Sequence, residues 1–370
     1  MKISNIRIKL NLSTLLIVAL VGFYASNFYA AIVPNALIYE LIIIGVINGV
    51  IILLSILIHE LSHSVVAQRF GLGVSEIELY LFGGVSKIEE EPRTPKSEFI
   101  IALVGPLSSF LIGMVLFTIS YLPIALPTIL SITFFYSGIS NIGLGIFNLL
   151  PAFPIDGGRL LRAFLWKRRN NLLSATKSAS KVGVGFGYGL MIYGVFQLLT
   201  FGFFNGFWLI LMGSFLRNTA RQSYNQTLNE VGLSNISVKE LLSYPIQISF
   251  DMNITDAIRD YFLIYKRDYF PVVQGGNIVG IIHLVDIREI PILQRSSQIV
   301  GYVMRKLSEF PYIYDDMTGK EAMKKLQRLR GQPHILIVQK KDNNELLGFI
   351  GKEEIASSLK YWVLHTQNYD

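Results

Sequence analysis

The chain has 370 residues, 51% of them apolar, a formal net charge of +7 and no cysteine. Without cysteine, disulfides, thiolate metal sites and a thiol nucleophile are excluded, so any metal chemistry must use His and carboxylate ligands. The positive charge is expected to reflect Lys and Arg collected on one side of a membrane, and no nucleic-acid partner is expected.

The apolar excess lies before about residue 220, where stretches of about 20 apolar residues recur, each long enough to cross a hydrocarbon core. Six spans are predicted, at about 12–33, 37–68, 98–122, 124–150, 182–200 and 203–219. The first ten residues, with Lys2, Arg7 and Lys9, precede an apolar run that no small-residue cleavage site follows, so a cleavable signal is not expected. Given six spans, every Lys and Arg from Lys2 to Arg221 falls on one face, and the loops near Pro34, Pro123 and Asn205 carry none. That asymmetry predicts cytoplasmic N- and C-termini in a multi-pass cell-membrane protein. Between the second and third spans, the alternation of residues 74–82 followed by Gly83-Gly84 predicts a strand pair or re-entrant hairpin. Segment 157–170 is amphipathic and basic, as expected of a helix at the inner interface.

After residue 222 the pattern becomes that of a soluble α+β region containing an internal repeat. The first copy reads as a helical start at Asp256-Ala257, then strands at Tyr269–Val273 and Gly280–Asp286; the second repeats this with residues 320–329, 333–338 and 348–354.

The chemistry is concentrated in His59-Glu60-Leu61-Ser62-His63, an H-E-x-x-H motif inside the second span. Histidines four apart share one helix face and can bind one zinc, with Glu60 placed to deprotonate bound water. Ionisable groups within an apolar span are costly, which argues for function over a hydrogen-bonded pair of structural histidines. A catalytic zinc wants a third protein ligand. Elimination of acidic residues at span ends and in the hairpin leaves Asp156, in Asn148-Leu149-Leu150-Pro151-Ala152-Phe153-Pro154-Ile155-Asp156-Gly157-Gly158. The prolines and glycines break the helix so that the carboxylate can turn inward; the alternative is an N-cap role for the helix that follows. Asn141 and Asn148, seven apart on one face of the fourth span, are candidates to hydrogen-bond a substrate backbone or oxyanion, or else to form a helix–helix polar contact.

These motifs, with Phe82-Gly83-Gly84, Ile101-Ala102-Leu103-Val104-Gly105-Pro106-Leu107 and Asn148…Pro151…Pro154-Ile155-Asp156-Gly157-Gly158-Arg159, resemble the site-2 protease family of intramembrane zinc metalloproteases in its prokaryotic form with C-terminal CBS domains. Ile155 stands where that family usually has Leu. The fold implied is a polytopic α-helical membrane protein of about six transmembrane helices with a C-terminal cytoplasmic α+β CBS-domain pair. The domains expected are 1–222 for the membrane protease, 223–236 for a linker, and 237–292 and 293–362 for the CBS repeats. The activity implied is endopeptidase cleavage of transmembrane segments of single-pass, membrane-anchored proteins, as in regulated intramembrane proteolysis. His59, His63 and Asp156 would bind one Zn2+ per chain, and Glu60 would be general base and then acid. Gly83 and Gly84 would offer a strand edge to an unwound substrate. The CBS resemblance implies ATP, AMP or another adenosyl ligand, with Asp286 and Glu354 as the retained carboxylates, although the Thr or Ser usual three residues earlier is His283 in one repeat and Gly351 in the other. Homodimerisation through the CBS pair is the alternative role for this region. His283, His334 and His365 are expected to be ordinary soluble-domain histidines. Two competing readings of the whole chain are a cation transporter, which would need a polar path across the bilayer, and an inactive scaffold, which would not need Glu60.

Overall fold

The computed structural model describes residues 2–3, 6–80, 83–88, 91–122, 126–242, 246–329 and 334–367, and the chain divides into two units, Met1–Asn225 and Gln226–Asp370.

The first unit begins with strands β1 (Lys2–Ile3) and β2 (Ile6–Leu10), followed by helices α1 (Thr14–Ile32) and α2 (Ile38–Arg69). Strands β3 (Val74–Tyr80) and β4 (Gly83–Ile88) come next, then α3 (Pro95–Ser120), α4 (Thr128–Asn148), α5 (Asp156–Arg169), α6 (Leu172–Phe201) and α7 (Phe203–Asn235). Helix boundaries follow local chemistry. The Thr94 hydroxyl accepts the Ser97 N–H at 3.2 Å with Pro95 at the first helical position, and Gly71 takes the left-handed conformation (φ 76°) just past α2. Small residues let the apolar helices approach closely: a Cβ on Gly22 would stand 2.7 Å from the Gly45 carbonyl oxygen, and one on Gly138 2.8 Å from the Phe117 backbone.

Among the described residues, five helices are long and apolar enough to cross a membrane: α1, α2, α3, α4 and α6. The sixth predicted span is the first half of α7. Its apolar run is closed by Arg217 and Asn218, which leaves it shorter than a full span. It nevertheless lies antiparallel along α6, with Gly213 against Gly187 and Gly206 against Gly194. The segment 223–236, expected as a linker, continues α7 as helix to Asn235.

The predicted strand pair is present as antiparallel β3–β4, with Tyr80 opposite Gly83 and Leu79 opposite Gly84; Leu81 and Phe82 lie outside the described residues. Alternation places Ile77 and Leu79 on the buried face, and a register shift between Val74 and Glu76 brings Val74 to the same side. The N-terminal segment, expected only as a basic flank, supplies β2, which pairs parallel with β3 in the sheet order β1-β2-β3-β4. Ile6 is fully buried, Lys9 pairs with Glu76 at 2.7 Å, and the Thr14 hydroxyl donates to the Leu79 carbonyl at 2.7 Å. Pairing across so long a sequence separation leaves no local signature in the chain.

In the second unit the repeat is structural. After α8 (Val238–Leu241) comes the first copy, beginning with β5 (Ile248–Ser249). A helical segment follows, formed by α9 (Ile254–Ala257), the π-turn Ile258–Phe262 and α10 (Leu263–Tyr265), before β6 (Tyr269–Gln274), β7 (Asn277–His283) and α11 (Leu284–Arg288). Helix α12 (Val300–Val303) and strand β8 (Arg305–Lys306) lead to the second copy: β9 (Tyr312–Tyr314), α13 (Gly319–Arg328), β10 (Ile335–Gln339), β11 (Leu346–Gly351) and α14 (Lys352–Gln367). In both copies a short parallel strand leads to an antiparallel hairpin. Each copy has its own buried core, around Phe270 and Ile282 in one and Leu336 and Ile350 in the other. A third cluster, including Tyr269, Ile281, Ile337 and Phe349, joins the two.

Candidate functional site

The H-E-x-x-H motif lies on α2, and helical spacing turns both imidazoles to one side, with ring centroids 4.8 Å apart. Both rings are held by α3. His63 Nδ1 donates to the Ile101 carbonyl at 2.6 Å, and His59 Nδ1 lies 2.9 Å from the Ser109 hydroxyl. Gly105, between these two contacts, faces both rings: a Cβ there would stand 2.2 Å from His63 Nε2 and 2.7 Å from His59 Nε2. Ile101, Gly105 and Ser109 follow one another at helical spacing, so a single stripe of α3 orients both histidines.

Asp156 is brought to the same point across 93 to 97 residues of sequence. Its Oδ2 lies 3.0 Å from His59 Nε2 and 3.1 Å from His63 Nε2, and the two Nε2 atoms are 3.2 Å apart. It is the first residue of α5, and no side-chain cap hydrogen bond closes that helix. Its carboxylate is turned to the histidines rather than to the helix start. Gly157 and Gly158 make this possible, because a Cβ on either would stand within 2.2 Å of the turn formed by Leu149–Phe153. Arg159 Nη1 sits 3.7 Å from Asp156 Oδ1.

The donor set fits a divalent ion. A carbonyl oxygen only accepts, so His63 Nδ1 carries the proton, and in the neutral ring Nε2 offers a lone pair toward another nitrogen and a carboxylate oxygen. Three such lone pairs repel unless a cation or a shared proton lies between them. Ligands about 2.0–2.1 Å from a tetrahedral zinc stand about 3.3 Å from one another, close to the separations found here. Among the described residues, His59, His63 and Asp156 are the group able to hold a metal, and all three are buried.

Glu60 follows His59 on the same helix. Gly84 lies against it, a Cβ there falling 2.2 Å from Glu60 Cγ, so the start of β4 closes over the glutamate only because that position has no side chain. Among the described residues β4 pairs with β3 alone and forms an edge of the sheet; Gly83 is its first residue.

The two asparagines of α4 part company. Helices α2 and α4 run in the same direction, each antiparallel to α3, and the Ser137 hydroxyl donates to Asn48 Oδ1 at 2.6 Å. Asn148 is as far beyond Ser137 as His59 is beyond Asn48, and so reaches the level of the histidines. Asn141 lies about 10 Å short of that level, at 1.5 Å per residue. It is fully buried and donates to the Ser137 carbonyl at 2.9 Å. That bond stays within α4, and its buried Oδ1 has no hydrogen-bond partner, so Asn141 lies away from the histidines without a polar contact to another helix.

Two groups beside the site had no signal in the sequence beyond their charge. Glu98, expected at a span end, is fully buried, and Arg162, expected on a basic interfacial face, is 4% exposed. They form an ion pair, with Arg162 Nε and Nη2 each 2.5 Å from Glu98 Oε1.

In the second unit a cavity of about 400 Å³ lies between the repeats, lined by Asp268, Tyr269, His283, Val285, Arg305, His334, Ile335, Gly351, Lys352 and Glu353. Of the two expected carboxylates, Asp286 accepts from Arg305 Nε at 2.9 Å and from Nη2 at 2.5 Å. Glu354 Oε2 accepts from the Tyr269 hydroxyl at 3.0 Å and from the Gly351 N–H at 2.9 Å. Burial, reinforced by the Glu354 carboxylate, pushes the Tyr269 phenol well above its ordinary range and keeps it a donor. His283 and His334, expected as ordinary histidines, line the cavity; burial moves the His283 imidazole below its usual pKa. The lining is mixed, with Arg305, Lys352, His283 and His334 beside the carboxylates Asp268 and Glu353, and it comes from separate elements, which is why no single motif announced it.

Because a methyl group at Gly105 would enter the space between the two imidazole nitrogens, Gly105→Ala is expected to lower metal affinity by at least about tenfold. Elemental analysis of the purified full chain after dialysis against a chelator measures this.

The profile of peptidase family M50 matches residues 48–133 and 123–192, and that of the CBS domain matches 238–292 and 300–361. The Rip3 protein of Mycobacterium tuberculosis is 32% identical over 273 residues, 73% of this chain and 70% of its own. Zinc metalloprotease MJ0392 of Methanocaldococcus jannaschii is 28% identical over 97% of this chain and 94% of its own. A solved site-2 protease from the same archaeon is 30% identical, with a TM-score of 0.42 over 60% of this chain and 92% of that one. The chain belongs to peptidase family M50: it is a multi-pass, site-2-protease-type zinc metalloprotease carrying a pair of CBS domains.

Proposed function

We propose that the chain is an intramembrane endopeptidase that hydrolyses peptide bonds within the transmembrane segments of membrane-anchored, single-pass proteins. The observation that carries this reading is the convergence of His59 Nε2, His63 Nε2 and Asp156 Oδ2 to within 3.2 Å, the two histidines on a helix apolar enough to span a bilayer and the aspartate at the start of the amphipathic α5. These three residues are the proposed ligands of one zinc ion, which when bound supplies an acidified water and polarises the scissile carbonyl. Glu60 takes a proton from the attacking water and returns it to the leaving amine. A helical substrate hides its carbonyls in its own hydrogen bonds, so it must unwind first. The edge of β4 at Gly83-Gly84 is suited to pairing with the extended chain, and Asn148 to hydrogen-bonding the substrate near the scissile bond. Asn141 is assigned to packing between α2 and α4.

Glu60→Ala is expected to abolish cleavage of a membrane-embedded test substrate, by at least about a thousandfold for loss of a general base from the catalytic unit, while zinc content stays at the parent level. Cleavage that survives this substitution rejects the mechanism.

For the membrane we propose cytoplasmic N- and C-termini, with domain bounds of 1–222, 237–292 and 293–362. The support is the one-sided distribution of Lys and Arg together with the apolar half of α7 lying along α6 as a sixth crossing element. The chain has no native cysteine, so single cysteines report cleanly. Asn35→Cys is expected to react with an impermeant maleimide in intact cells, and Lys167→Cys only after lysis.

The cavity between the CBS repeats is the proposed site for ATP, AMP or another adenosyl ligand, with its phosphates toward Arg305, His283, His334 and Lys352. Asp286 is the carboxylate placed to serve it, through Arg305, whereas Glu354 is engaged by Tyr269. Arg305→Ala is expected to weaken ATP or AMP binding by about tenfold or more, in line with loss of a charge-assisted contact, measured by calorimetry on the full chain. Absence of any adenosyl binding to the parent chain would leave the pair as a dimerisation module.

A further inference from the structure

Of the three residues proposed to hold the metal, Asp156 has the hardest position to fix. His59 and His63 share a rigid helix, and α3 holds both rings through Ser109 and the Ile101 carbonyl. Asp156 instead starts α5, directly after the proline-bounded turn at residues 149–155. An error of about 1 Å in its position would spoil a tetrahedral donor set.

Arg162 and Glu98 meet this requirement. Arg162 lies on α5, six residues beyond Asp156, and its guanidinium carbon stands 4.9 Å over the Phe153 ring, in the turn that leads into Asp156. The same guanidinium places Nε and Nη2 on Glu98 Oε1. One side chain thus grips the helix that carries Asp156, the turn before it, and α3. Glu98, Ile101, Gly105 and Ser109 form a continuous stripe of α3 at helical spacing, so the helix that orients both imidazoles also holds the arginine. Two fully enclosed charges are costly to bury, and well-packed apolar residues would serve packing as well. What an apolar pair would lack is the directional hold of two guanidinium N–H groups on one carboxylate oxygen.

We propose that the Glu98–Arg162 ion pair is a positioning device for Asp156, completing on α3 the support that Ser109 and Ile101 give to the histidines. The proposal rests on the reading of Asp156 as a metal ligand. It makes neither Glu98 nor Arg162 a catalytic residue, since both act through the aspartate.

The test uses the purified full chain loaded with Zn2+, its affinity read by competition with a chelator and its stability by thermal unfolding of the metal-free protein. Arg162→Met and Glu98→Gln are each expected to weaken zinc binding by about 10- to 100-fold, with Arg162→Lys between them and the parent. Should Arg162→Met fail to fold, Arg162→Lys carries the same comparison. The double variant Glu98→Leu/Arg162→Met, whose buried charges are both gone, is expected to unfold near the parent temperature yet still bind zinc weakly. In an Asp156→Ala background, Arg162→Met should produce no further loss, because its effect passes through that side chain. Parent-like zinc affinity in the single or double variants overturns the proposal, as does an undiminished loss in the Asp156→Ala background. If Asp156→Ala alone holds zinc as tightly as the parent, it is the ligand assignment that fails.

Discussion

Two imidazole nitrogens and a carboxylate oxygen are brought within 3.2 Å of one another inside a helical, apolar unit, an arrangement that lone-pair repulsion opposes unless a cation or a shared proton occupies it. Much of the first unit serves to impose that closeness. Helix α2 supplies two of the atoms at fixed spacing, and α3 fixes the direction of both rings. The Leu149–Phe153 turn, nested against Gly157 and Gly158, delivers the third. A hydrogen-bond partner behind each imidazole is what a metal-binding histidine requires for one tautomer and one orientation.

The glycines follow from the same constraint. Gly105 and Gly84 are places where any side chain would collide, with the imidazoles in one case and with Glu60 in the other. They let α3 and β4 approach the proposed metal and the proposed base as closely as backbone allows.

The second unit works on different principles. Its two copies bury separate apolar cores and share a third cluster, and between them lies a cavity lined by both cationic and acidic side chains. The copies are not chemically equivalent. Glu354 is satisfied inside the protein by Tyr269 and Gly351, while Asp286 is held by the partly exposed Arg305. An anionic ligand would meet this difference at once, because reorienting a partly exposed arginine costs less than opening a buried tyrosine–carboxylate pair.

Much of this was written in local sequence. Long apolar runs specify membrane helices, histidines four apart specify a shared helix face, and two similar patterns after residue 236 specify a repeat. Asp156 could be reached by elimination because so few carboxylates lie in the apolar part. Other features could not be read, since each depends on contacts between distant segments: β2 beside β3, the enclosure of Asn141, and the packing of the apolar half of α7 along α6. The same holds for Glu98, which reads as a span-end acid, and Arg162, which reads as one basic residue among several on an amphipathic helix. Sequence periodicity records which residues share a face of their own helix. What that face meets, and whether a charge there is solvated or locked against its opposite, is decided only when the helices pack.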